Sequence, residues 1–126
     1  MHNNRERMIL GQIILQSSNA LNMAKNAHDH ILGENSHRLD VPVALAFCNQ
    51  ACATINLARA LFYTNPHAVY LYGAENFFHR FEVFVSEMMS NVSTDHSHQW
   101  TATEFDRLVE AFEQSALNQP ANKYLE

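Results

Sequence analysis

Phe77-Phe78-His79-Arg80-Phe81-Glu82-Val83-Phe84-Val85-Ser86-Glu87-Met88-Met89 decides the fold class. Phe77, Phe81, Phe84 and Met88 recur at steps of four, three and four, and Phe78, Val85 and Met89 repeat the pattern one residue on. A strand alternates every second residue, whereas a helix brings every third or fourth residue to one face. This stretch is therefore helical, and its two stripes cover more than half of the helix circumference. Val69, Tyr70, Leu71 and Tyr72 crowd its start, so the helix is read from about His67 to about Ser90, with Gly73 inside it. Glycine costs about 1 kcal/mol against alanine in a helix interior, which points to a close backbone approach there.

The same periodicity extends on both sides. Before this helix, Asn65-Pro66 closes a second one, because the residue preceding proline avoids the α region. That helix opens at Asp40, a good N-cap, with Pro42 in the first turn. Leu45, Cys48, Cys52, Ile55 and Phe62 form one seam along it, and Phe47, Ala51, Ala58 and Leu61 an adjoining one. Further back, Leu10, Ile13, Ser17, Ala20, Ala24, Ala27 and Ile31 form the stripe of a first helix from about Asn4, stopped by Gly33. After the aromatic helix comes a polar loop, Asn91 to Trp100. Thr101 with Glu104 then reads as a capping box for a fourth helix bearing Phe105, Leu108, Val109, Phe112 and Ala116. Asn118-Gln119-Pro120 ends it, and a frayed tail is expected from Ala121.

Three long helices and a shorter one, joined by short loops, predict an all-α fold: an antiparallel up-down-up-down four-helix bundle. The 126 residues suit one domain, 1–124, with Leu125-Glu126 read as a cloning remnant. Only three Gly and three Pro are present, too few for the turns of a strand-rich fold. A 47% hydrophobic content argues against disorder.

Net charge is −5 with no basic stripe, which disfavours duplex nucleic acid as a partner. No uninterrupted apolar run approaches a membrane span, and no signal-peptide pattern precedes the first helix, so a cytoplasmic protein without membrane contact is expected. Asn91-Val92-Ser93 matches a glycosylation acceptor by chance on that reading. Cys48 and Cys52, four apart on one helix, are read as core thiols.

Histidine is the over-represented chemical group, eight in all. In the predicted topology His28, His30, His37, His96 and His98 gather at one pole with Asp29, Glu34 and Asp95. Imidazoles within reach of each other could hold a divalent metal such as Zn²⁺. A second polar track, Glu75, His79, Glu82 and Ser86, follows helical spacing on the aromatic helix. Turned inward it would pair carboxylate with imidazole for acid–base work; turned outward it is a solvated face. A di-iron site needs two Glu-x-x-His motifs, and only Glu34 with His37 has that spacing. No nucleophile elbow or phosphate loop occurs.

Residues Asn49-Gln50-Ala51-Cys52-Ala53-Thr54-Ile55-Asn56-Leu57-Ala58-Arg59-Ala60-Leu61 resemble the second helix of HEPN-type bundles, which bind nucleotides or cut RNA. Active members carry an Arg with a His four to six residues later. Here Arg59 and His67 are eight apart across Pro66.

The breadth of the aromatic stripes carries the functional expectation. Either that helix is the most central of the four, or its outer part meets another copy. The second reading makes Tyr70, Phe77, Phe78, Phe81, Phe84, Val85, Met88 and Met89 a homodimer interface, in a non-enzymatic adaptor whose partner is a protein. An apolar ligand pocket between the helices is the alternative. No cofactor is called for beyond the possible divalent metal.

Overall fold

The structure, a computed structural model, describes residues 3–32, 41–94 and 98–125, with backbone alone at residues 32, 92–94, 98, 99 and 125. The described residues form helices and no strand. Four of the helices are long: α1 (Asn4–Leu32), α2 (Val41–Thr64), α3 (Ala74–Thr94) and α4 (His98–Glu113). A 3₁₀ turn (Pro66–Tyr70) leads into α3, and a last short helix, α5, spans Asn122–Leu125.

α1 opens on a reciprocal cap. The Glu6 amide donates to Asn3 Oδ1 at 2.8 Å, and the Asn3 amide donates to Glu6 Oε2 at 3.4 Å. Two otherwise unpaired N–H groups are thus satisfied. The predicted stripe is the buried face: Leu10, Ile13, Ser17, Ala20, Ala24 and Ala27 are all buried. α1 packs most extensively on α2, whose buried face is Ala44, Cys48, Ala51, Ile55 and Ala58. Alanines on both faces let two helix axes approach closely. Thr54 Oγ1 donates to Met23 Sδ at 3.6 Å across this contact.

α2 ends where Thr64 Oγ1 and Asn65 Nδ2 turn back to the carbonyls of Ala60 and Leu61, both at 2.7 Å. The third helix begins later than His67. Residues Pro66–Tyr70 wind as 3₁₀, and Gly73 has φ +77°, which an α-helix cannot contain. The close approach expected at Gly73 is present: a Cβ there would lie 3.0 Å from both Cα and Cβ of Ser115. The Ala116 amide donates to the Tyr72 carbonyl at 2.9 Å beside it. The start of α3 is therefore tied to the segment that follows α4.

α4 starts at His98, so Thr101 lies inside it, fully buried, instead of capping it. Glu104, free of a capping role, accepts from Arg107 Nη1 at 2.7 Å and lies 3.9 Å from Arg80. The tail from Ala121 is not frayed. α5 packs on α1, Tyr124 is half-buried, and Arg7 Nη2 donates to the Lys123 carbonyl at 2.9 Å.

Candidate functional site

The aromatic helix turns inward. Phe77, Phe78, Phe81, Phe84 and Met88 are at most 2% exposed, so they are core and not the outward dimer surface expected of them. The first stripe and Phe78 of the second are covered by the chain's own helices. Phe77 and Phe84 meet Phe112 and Phe105 of α4 at 5.5 and 5.4 Å between ring centres. Phe78 meets Phe62 of α2 at 5.5 Å, edge to face. Of the remaining expected interface residues, Val85 is half-buried and Tyr70 and Met89 are exposed.

The track of Glu75, His79, Glu82 and Ser86 is exposed along its whole length. The inward pairing of carboxylate and imidazole expected on this helix is therefore not what the structure shows.

The histidine-rich pole is described in part. His37 and His96 lie outside the described residues, as do Glu34 and Asp95, and for His98 only the backbone is described. His28 lies flat on Phe105, ring centres 4.3 Å apart and 16° between planes, and its Nδ1 donates to Asp29 Oδ1 at 3.1 Å. His30 Nδ1 donates to the Asn26 carbonyl at 2.7 Å, with its ring 5.3 Å from Phe47. Both rings cover apolar neighbours and use one nitrogen locally. Among the described residues, no three of His, Cys, Asp and Glu gather closely enough to hold a metal ion.

Cys48 is buried and Cys52 half-buried, both as free thiols. Burial pushes the Cys48 thiol up to about 11, helped by the charge of Cys52 and by a hydrogen bond to it. A buried thiol held protonated in this way suits a place in the core. An unfolded chain loses this proton near pH 9, whereas the folded chain keeps it to about 11. Folding stability should therefore fall as pH rises between those values, by roughly 2 kcal/mol from this group. Urea denaturation from pH 8 to 10.5 should show a shallower decline for Cys48→Ala than for the natural chain. Equal slopes would contradict the assignment.

A groove of about 290 Å³ lies between α3 and α4, lined by Asn76, Arg80, Arg107, Glu110, Ala111 and Gln114. Its two guanidinium groups converge on Glu104, and Gln114 Nε2 donates to Glu110 Oε1 at 3.2 Å. Both guanidinium groups of the lining thus have a carboxylate neighbour in Glu104.

What stands out on the surface is the outer side of α2. Val43, Ala46, Asn49, Gln50, Ala53, Asn56, Leu57, Ala60 and Tyr63 are all exposed, and none is charged. The only charged residue of the helix, Arg59, is half-buried on the flank. α2 is long and apolar enough to cross a membrane by length and composition, although Asn49, Gln50, Asn56 and Arg59 interrupt any continuous apolar run. Only 28% of its most apolar stretch is buried within the chain. Beyond its end, Val69, Tyr70 and Tyr72 are each about 70% exposed. Sequence periodicity pointed to α3 and passed over this face, because alanines and amides alternate on it without a strong apolar rhythm.

Comparison with family models, with curated proteins and with solved structures returns no match to this chain. Arg59 on α2 and His67 in the 3₁₀ turn are both half-buried, and they keep the eight-residue separation that departs from the HEPN pattern.

Proposed function

We propose that this chain is a non-enzymatic helical interaction module that works as a homodimer, with its four long helices in an antiparallel up-down-up-down bundle. The topology is supported by the order of contacts. His30 meets Phe47 and Met23 meets Thr54, so the α2 partner rises in number as the α1 partner falls. Phe77 with Phe112 and Phe84 with Phe105 repeat this between α3 and α4.

The single observation that carries the functional reading is the outer side of α2, uncharged along 24 residues and mostly uncovered by the chain itself. Large uncharged apolar patches on a folded chain mark contact surfaces. The partner in this reading is a protein surface, and the interface moves from the aromatic helix of the sequence expectation to α2. The exposed Glu75–His79–Glu82 track supports no competing acid–base reading.

Size-exclusion chromatography with light scattering tests the proposal. The expected mass rises with concentration toward twice the 14.4 kDa of one chain. A mass of one chain at every concentration would overturn it.

A further inference from the structure

We infer that two copies pair through the outer face of α2 with the two helices antiparallel, in a register that sets Val43 against Ala60, Ala46 against Leu57 and Gln50 against Ala53 of the second copy. This rests on the homodimer reading above and specifies its geometry.

The exposed residues Val43, Ala46, Gln50, Ala53, Leu57 and Ala60 advance by three, four, three, four and three. That is the spacing of a two-helix seam. One of its two positions carries the longer side chains, Val43, Gln50 and Leu57, and the other carries alanine each time. In an antiparallel pair, the two positions face each other, so every layer joins one long side chain to one alanine. Six such layers follow by symmetry, and their volumes are even along the seam. A parallel pair would instead stack long on long and alanine on alanine, leaving alternate layers crowded and empty. The pattern of sizes is thus self-complementary in one orientation.

Charge selects the same occupant. The exposed sides of the other long helices carry ions: Arg5, Arg7 and Lys25 on α1, Glu75 and Glu82 on α3, Asp106 and Glu113 on α4. Drying any of those faces strands a charge, whereas drying the α2 face strands none. A second copy supplies a matching uncharged surface. Asn49 and Asn56 border the seam and offer amide partners to Gln50, the polar residue within it. The two-fold axis makes the contact closed, so pairing stops at two. The six layers from Val43 to Ala60 run about 26 Å along the helix, and a contact of that length and one helix width is smaller than the roughly 1,200 Å² of a stable interface, which is the size of a weak, reversible pairing.

Sedimentation equilibrium from about 1 to 300 µM tests the pairing, spanning affinities that differ by roughly 3 kcal/mol. Ala53→Glu and Ala60→Glu each place a carboxylate in the seam and should raise the dissociation constant at least tenfold, with helical circular dichroism retained. Combining Gln50→Lys with Ala53→Glu puts opposite charges face to face in every copy and should recover most of the loss. A natural chain that stays monomeric throughout overturns this pairing together with the homodimer reading. A dimer indifferent to both glutamates overturns the pairing alone, and failure of the double variant to recover overturns the register. Co-flotation of the natural chain with neutral phosphatidylcholine vesicles, lost in Ala53→Glu, would assign the face to lipid and overturn the pairing as well.

Discussion

Phe77→Ala should lower the folding free energy by about 3–5 kcal/mol, the range for deleting a buried aromatic side chain. The ring is fully buried, with Phe81 at 5.9 Å, Phe78 at 6.0 Å and Phe112 at 5.5 Å between centres. It therefore joins two turns of α3 to the far part of α4. Removing it takes apolar surface out of the core and leaves a void whose walls are other rings. Those rings are held by neighbours of their own, so collapse into the void is limited. The loss is a large share of the roughly 5–15 kcal/mol that holds a domain of this size together. Phe77→Leu should cost much less, about 1–1.5 kcal/mol, since most of the volume is kept. Urea denaturation followed by circular dichroism reads both. A Phe77→Ala change below about 1 kcal/mol would contradict the placement of this ring at the centre.

Gly73→Ala should be the next most damaging, at about 2–4 kcal/mol. Two independent costs combine. At φ +77° a side chain meets its own backbone, which costs about 1–2 kcal/mol. The new methyl also arrives 3.0 Å from Cα and Cβ of Ser115. The Cα cannot swing aside as the end of a flexible side chain could. Ser115 is held further by its hydroxyl, which donates to the Phe112 carbonyl at 2.8 Å and accepts from the Leu117 amide at 3.1 Å. Moving that segment would strain the Ala116–Tyr72 hydrogen bond beside it. The entropy alanine removes from the unfolded chain offsets only about 0.4–1 kcal/mol. Thermal denaturation measures the outcome, and a melting temperature equal to that of the natural chain would contradict the tight joint between α3 and the end of α4.

These two residues also mark how far sequence reasoning reaches. The stripe through Phe77 was legible, because helical spacing states how much of a helix seeks burial. It does not state what covers that surface, so the same rings were equally consistent with a core and with an interface. Their contacts with Phe62, Phe105 and Phe112 give them to the core. Gly73 was legible as a close approach but not as a break, since Val69 to Tyr72 look helical and a positive φ leaves no mark in neighbouring residue types. Thr101 and Glu104 had the right spacing for a cap, yet His98 to Trp100 continue the helix backward and bury the threonine. The true reciprocal cap, Asn3 with Glu6, has the same spacing at the start of α1.

The candidate site was less legible than the fold. The histidines drew attention by number, but His28 and His30 each spend a nitrogen on a local acceptor and a ring face on a phenylalanine. On α2, one alanine face packs on α1 while another faces solvent, and no periodicity scale separates the two because the residues are alike. Which alanines are covered follows only from where α1 lies.

Hydroxyl-radical labelling of side chains at low and high protein concentration probes the role of the α2 face most directly. Leu57 is 48% exposed in the single chain and Met8, on α1, is 58% exposed. As concentration rises, oxidation of Leu57 should fall several-fold while that of Met8 stays constant. Oxidation of Leu57 that stays as constant with concentration as that of Met8 would contradict an interface on α2.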